Sequence, residues 1–211
     1  MRDTKPVVVL VHGIWMSPLF VSRLGSYLRS RGYRVYYFSY WPTRRPFSRC
    51  LADFHSFMQS LPVKHVHLVG HSLGGKLIWQ WIHDFRIAPQ GRVVTLGSPH
   101  RGSVVATKLT RHFWGRLLLG RAQRALIFPQ ERVPDGWQWG ILGGSRPLGL
   151  GRLVHRGPVP CDGSVEWPET QLQGASDHLL LPQSHFGLLL SADAAQQVEC
   201  FLRSGRFCLP T

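Results

Sequence analysis

The chain has 211 residues and 24.0 kDa, with 25 Lys plus Arg against 11 Asp plus Glu, a formal net charge of +14. At 44% hydrophobic and 11% aromatic it can fill a core, which excludes wholesale disorder and favours a single domain. The longest unbroken aliphatic run, Val7–Val11, falls far short of the ~18 apolar residues a membrane span requires.

Along the chain, short β-rich runs alternate with helical patterns. Val7–Val11 reads as a buried strand and Leu19–Leu28 as a helix stopped at Arg31-Gly32. Tyr33–Tyr40 is a second strand, Phe47–Leu61 an amphipathic helix, His65–Val69 a third strand and Leu73–Phe85 a helix. Arg92–Leu96, Trp137–Leu142 and His178–Leu181 read as later strands, and Gly187–Leu202 as one closing helix. This rhythm predicts an α/β fold, a mostly parallel sheet of six or seven strands with helices on both faces. Residues 1–211 are expected to form one domain. The interval 103–134 breaks the rhythm and is a candidate lid or cap. In it Leu109, Phe113 and Leu117 fall at helical spacing, so an amphipathic helix is expected, covering the sheet in the favoured reading and serving as a lid or docking helix for an anionic lipid surface or anionic acyl substrate in the other. The interval 143–160 reads as a loop, because 8 of its 18 residues are Gly or Pro.

In such a sheet, ligands sit at the carboxyl ends of the strands, so each candidate residue can be tested by the end it occupies. Gly70-His71-Ser72-Leu73-Gly74 follows a strand and opens a helix, as a nucleophile elbow must. Its glycines allow a turn too tight for side chains. The first strand ends in Val11-His12-Gly13-Ile14, where a backbone amide, of Ile14 or less favourably Trp15, can join that of Leu73 in binding an oxyanion. His12 and His71 adjoin this region and are read as structural. The base must be a late histidine. His185 follows the last strand, whereas His178 opens it, about 13 Å of strand from the active edge. For the acid, Asp162 is favoured, with Glu166 and Asp177 as alternatives; Asp135 lies at the wrong end of its strand. Trp15 and Trp41 follow strands at the active edge and are candidates for an acyl pocket.

These residues resemble the α/β-hydrolase family, and within it small bacterial lipases and esterases. The resemblance is carried by Val11-His12-Gly13-Ile14, Gly70-His71-Ser72-Leu73-Gly74-Gly75, Leu96-Gly97-Ser98-Pro99-His100-Arg101-Gly102-Ser103, Asp162-Gly163-Ser164-Val165 and Ser184-His185-Phe186-Gly187-Leu188-Leu189. It implies a Ser72–Asp162–His185 triad, oxyanion amides on Ile14 and Leu73, and a substrate-walling segment that includes His100, itself non-catalytic. The expected activity is hydrolysis of a small-molecule carboxylic ester, with acyl transfer or thioester cleavage as the alternative. No metal or cofactor is expected, since no His/Cys cluster has ligand spacing.

The charge is uneven. Residues 1–130 hold 19 basic and 3 acidic side chains, a balance of +16, and residues 131–211 hold 6 and 8. No acid lies between Asp84 and Glu131, where eight Arg or Lys occur. Peripheral contact with an anionic membrane surface is one reading. A bias toward arginine codons is another, since 21 of the 25 bases are Arg. Nucleic-acid binding is not expected, because no motif for it is present. Pro6 begins an apolar run with no basic leader before it, so a cytoplasmic protein is expected. Cys200 and Cys208 are close enough to pair, yet with Cys50 and Cys161 they are expected to be reduced thiols.

Overall fold

Alternation along β1 (Val7–Val11) divides the interior in two. Val7, Val9 and Val11 turn to one face of the sheet and Val8 and Leu10 to the other, and all five are buried. The computed structural model describes residues 5–148 and 159–208. Within them, β1 joins β2 (Arg34–Phe38), β3 (Val66–His71), β4 (Arg92–Leu96), β5 (Gln138–Gly144) and β6 (Asp177–Leu181). The six form one all-parallel sheet in the order β2-β1-β3-β4-β5-β6.

Helices α2 (Phe47–Ser60) and α3 (Leu73–Asp84) cover the Val9 face through Phe54, Leu77 and Trp81. Phe54 and Trp81 meet edge to face at 5.2 Å between ring centroids. Helices α1 (Ser22–Ser30) and α8 (Ala192–Ser204) cover the Leu10 face through Leu24, Leu28, Val198 and Phe201. Burying each such side chain contributes roughly 1.5–3 kcal/mol. Strand order reverses between β1, which is followed outward by β2, and β3, from which the chain proceeds the other way. Val11 and Gly70 are partners in that register, so the ends of β1 and β3 lie side by side at the switch point.

The expected elements are present with shifted ends. The fifth strand runs to Gly144, two residues past the expected Leu142. The expected single closing helix is two: α7 (Gly187–Leu190) stops at Ser191, whose extended backbone and side-chain oxygen cap α8 at Ala194 N–H. The interval 103–134 contains α4 (Val104–Leu109), α5 (Phe113–Leu119) and α6 (Gln123–Ile127). Leu109 and Phe113 therefore belong to different helices. Phe113 and Leu117 are 72% and 68% exposed, so this stripe does not cover the sheet. Of the expected 143–160 loop, residues 143–144 belong to β5, 145–148 and 159–160 are irregular, and 149–158 lie outside the described residues.

Two features were not anticipated. Cys200 and Cys208 form a disulfide that ties the end of α8 to the segment after it, where reduced thiols were expected; Cys50 and Cys161 are free and buried. Eight residues of separation bring the sulfurs together because Gly205, at φ +80, turns the chain back. The second is Lys76, a fully buried cation on α3. Its Nζ donates to the carbonyl oxygens of Pro99, His100 and Phe128 at 2.9, 3.3 and 2.7 Å, fastening both ends of the 103–127 helical interval to α3. Burial pushes its pKa down to about 7, against the opposing pull of the Glu169 carboxylate.

Denatured protein treated with iodoacetamide is expected to take up two groups without reductant, at Cys50 and Cys161, and four after reduction, counted by intact mass. Replacing Lys76 by Met leaves three carbonyls without their donor, and urea unfolding should show a loss of about 2–4 kcal/mol near neutral pH. The unfolded lysine holds its proton to about pH 10, whereas the folded one releases it from about 7. Over that window the unfolded chain binds more protons, so wild-type stability relative to Lys76→Met should rise with pH.

Candidate active site

Ser72 leaves β3 at φ +54, a left-handed conformation that costs a non-glycine residue about 1–3 kcal/mol. Packing enforces it. A Cβ on Gly70 would lie 2.5 Å from the Gly75 nitrogen, and one on Gly74 would strike the Val11 carbonyl oxygen, so only glycines allow α3 to start this close to the sheet. The turn is held by Ser72 N–H donating to Leu96 O at 2.9 Å and Gly75 N–H to Ser72 O at 3.1 Å. The serine is the N-cap of α3, so the free amides of the first helical turn, including that of Leu73, converge beside it.

Asp162 and His185 meet from opposite sides. Nδ1 of His185 donates to Oδ2 of Asp162 at 2.7 Å, and the His185 N–H donates to the Asp162 carbonyl at 2.8 Å. The other carboxylate oxygen, Oδ1, accepts the N–H groups of Ser164 and Val165, both at 2.8 Å. Asp162 is 1% exposed, and these bonds replace the water it has lost. The imidazole tautomer is thereby fixed with Nε2 free of this proton.

Ser72 and His185 both line an open cavity of about 510 Å³, together with Ile14, Trp15 and His71. The remaining wall is largely aliphatic, drawn from α4, α5 and α6 through Ala106, Leu109, Leu119 and Leu126. Trp15 adopts φ +56, and its indole N–H donates to Leu118 O at 3.0 Å, which pins the loop after β1 to α5. Among the described residues no cluster of three His, Cys, Asp or Glu is arranged to hold a metal ion.

Of the other sequence candidates, His71 lines the cavity and His100, His178, Asp177, Glu166 and His12 do not. His100 is completely buried beneath it, donating from Nδ1 to Gln130 Oε1 at 2.8 Å and accepting at Nε2 from Thr95 Oγ1 at 3.2 Å. Burial holds its pKa down to about 3, so it is a neutral strut, and it does not line this cavity. His178 and Asp177 open β6 at the opposite edge, and Asp177 accepts the Phe207 N–H. Glu166 caps a 3-10 turn, Trp167–Thr170. His12 donates to Gly13 O at 2.8 Å. His71, kept neutral by burial and by the nearby His185, donates from Nε2 to the His185 carbonyl at 3.0 Å; both support loops, as expected.

The sequence model of the alpha/beta hydrolase family matches residues 8–202. The chain belongs to that family. Among solved structures it is similar to a bromoperoxidase from Bacillus anthracis, at TM-score 0.64 and 15% identity over 95% of this chain and 93% of that one. It is also similar to the type II thioesterase of the borrelidin biosynthetic cluster, at TM-score 0.64 and 16% identity over 95% and 92%. A structure from work on carboxylesterases of the thaumarchaeon Nitrososphaera gargenis gives TM-score 0.65 and 13% identity over 97% and 92%. No curated protein sequence matches the chain. At these identities the likeness is one of fold.

Sequence reasoning missed Gly97, in this hydrolase the residue directly after β4. It sits at φ +54, and a Cβ there would lie 2.8 Å from Asp162 Oδ2 and 3.0 Å from His185 Nδ1. Its absent side chain leaves the space in which the two groups bond. The Leu96-Gly97-Ser98-Pro99 run was visible, but which groups would crowd its glycine was not. Gly97→Ala is expected to fold and to lose the far-downfield Nδ1 proton resonance of a buried Asp–His pair. A spectrum unchanged by the substitution counts against this crowding.

Proposed function

We propose that this alpha/beta hydrolase cleaves carboxylic esters through an acyl-enzyme on Ser72. The reading rests chiefly on the 2.7 Å bond between Asp162 and His185 at the wall of an apolar cavity that Ser72 also lines. In it, Ser72 Oγ attacks the ester carbonyl carbon while His185 Nε2 takes its proton, and the carbonyl π electrons move onto oxygen. The resulting oxyanion is held by the N–H groups of Leu73 and Ile14, with the α3 N-terminus adding its positive potential. Asp162 keeps Nδ1–H pointed away from the reaction and stabilises the imidazolium. As the tetrahedral carbon collapses, His185 gives its proton to the departing alcohol. Water then repeats the sequence on the acyl-serine, releasing the acid and restoring Ser72.

The aliphatic cavity wall supports an acyl group as the part of the substrate bound there, with Trp15 and Phe186 at its rim. Cleavage of an acyl thioester is the second reading. It is favoured by the thioesterases among the structural relatives and uses the same intermediate with a thiol as leaving group.

A fluorophosphonate probe is expected to label the wild-type protein on Ser72 and to leave Ser72→Ala unlabelled. Turnover of nitrophenyl esters should fall ~10⁶-fold in Ser72→Ala or His185→Ala. Nitrophenyl esters and acyl thioesters of matched chain length separate the two readings by their relative kcat/KM. Labelling of Ser72→Ala equal to wild type overturns both.

A further inference from the structure

Helix α5 is amphipathic the wrong way round for a soluble surface. Its Phe113, Trp114, Leu117 and Leu118 are 72%, 76%, 68% and 47% exposed, while Gly115 and Leu119 turn inward. At 100° per residue the four exposed side chains span one arc of about 140°. They continue into Trp15, whose indole bonds to Leu118 O, and across the cavity mouth to Phe186, whose ring lies 6.2 Å from that of Phe20. Trp15, Phe186 and Phe20 are themselves about half exposed. Apolar side chains this large and this contiguous mark an interaction surface.

The surroundings of this patch are basic. Arg111, Arg116, Arg121 and Arg124 are exposed on the same interval, and none is paired with a carboxylate among the described residues. The loop after β2 joins them: Arg121 N–H donates to Thr43 O at 3.1 Å, and in that loop the Arg44 guanidinium lies 5.3 Å from the ring centre of an exposed Trp41. Bulky apolar groups projecting from a convex helix, ringed by arginines, fit a surface that is anionic outside and apolar a few ångströms beneath.

We propose that this face docks on an anionic phospholipid bilayer, with α5 inserted at the headgroup level and the arginines on the lipid phosphates. Trp15 and Leu118 belong both to this face and to the cavity wall. Docking therefore presents the cavity mouth to the acyl layer. That consequence rests on the acyl-ester reading; the docking does not. A nucleic acid would satisfy the arginines but give Leu117 and Leu118 no apolar partner.

The test is co-sedimentation of the full chain with vesicles of phosphatidylcholine, alone or mixed with phosphatidylglycerol. Binding is expected only, or at least ~10-fold more tightly, with the mixed vesicles, and it should weaken with salt. Each of Arg111→Gln, Arg121→Gln and Arg124→Gln should lower affinity about fivefold. The double variant Phe113→Ser/Trp114→Ser should lower it at least ~10-fold while leaving the thermal melt and short-chain ester turnover as in wild type. Equal binding by wild type and the double variant overturns the proposal, as does no binding to either vesicle. A wild-type dimer that the double variant converts to monomer, without vesicle binding, assigns the face to a second copy of the chain and overturns it too. Because vesicle binding is read without substrate, and Ser72 labelling without vesicles, either reading can fail alone.

Discussion

Helix α3 begins so close to the end of β1 that no side chain fits between them at Gly74. That contact forces the turn at Ser72 into a left-handed conformation, which two backbone hydrogen bonds and the flanking strand and helix then hold. It also brings the open amide end of α3 against the loop that leaves β1, at the point where the strand order reverses and the two loops part. The position of the serine is thus a result of packing between a helix and a strand, not of anything the hydroxyl itself bonds to. The free amides at the start of α3 inherit their placement from the same contact.

Lys76 extends this control outward. It lies four residues beyond Ser72, about one turn into the helix that Ser72 caps. Its ammonium holds Pro99 and His100 before α4 and Phe128 after α6, so the segment that walls the cavity is anchored at both ends to the helix that carries the serine. Glu169 fastens the wall from the other side, accepting Val104 N–H at 2.5 Å and Glu166 N–H at 2.8 Å, while its carbonyl accepts Arg101 N–H at 2.8 Å. A buried cation is a poor source of stability, because its desolvation offsets what its bonds return. What this one supplies is geometry: three carbonyls from two distant segments cannot be satisfied together unless those segments stay in place.

The strand and helix alternation was legible because each element of this sheet is buried on one or both faces and must carry the matching period. That Ser72, Asp162 and His185 would gather at the carboxyl edge of the sheet was legible because strand direction determines which residues reach that edge; His178 and Asp177 sit at the other edge for the same reason. What escaped was either non-local or without a period. Gly97 matters through the Asp162 and His185 atoms it leaves room for, from loops far away in sequence. Lys76 carries no local signal of its burial, because the carbonyls that receive it come from segments far along the chain. The spacing of Leu109, Phe113 and Leu117 is helical, yet Leu109 lines the cavity from α4 while the other two face outward from α5. Periodicity reports that residues share a face, and a helix break between them removes even that.

The charge asymmetry acquires a spatial form in the fold. Asp162 and Glu169, two of the acids in the more acidic half, are 1% and 6% exposed and committed to hydrogen bonds, so they do little to offset the field outside. The arginines of the 103–134 interval remain at the surface, around a cavity mouth with no exposed carboxylate on α4, α5 or α6. The rim is therefore more positive than the balance of +14 alone conveys. Its reach is about one Debye length, roughly 8–10 Å, enough to orient the molecule on approach but not to hold it. Holding requires contact, and the groups positioned to make it are the apolar side chains of α5. The two halves of that surface act at different distances, and one interval supplies both because its inner residues, among them Leu109, Leu119 and Leu126, line the cavity while Phe113, Trp114 and Leu117 stay exposed.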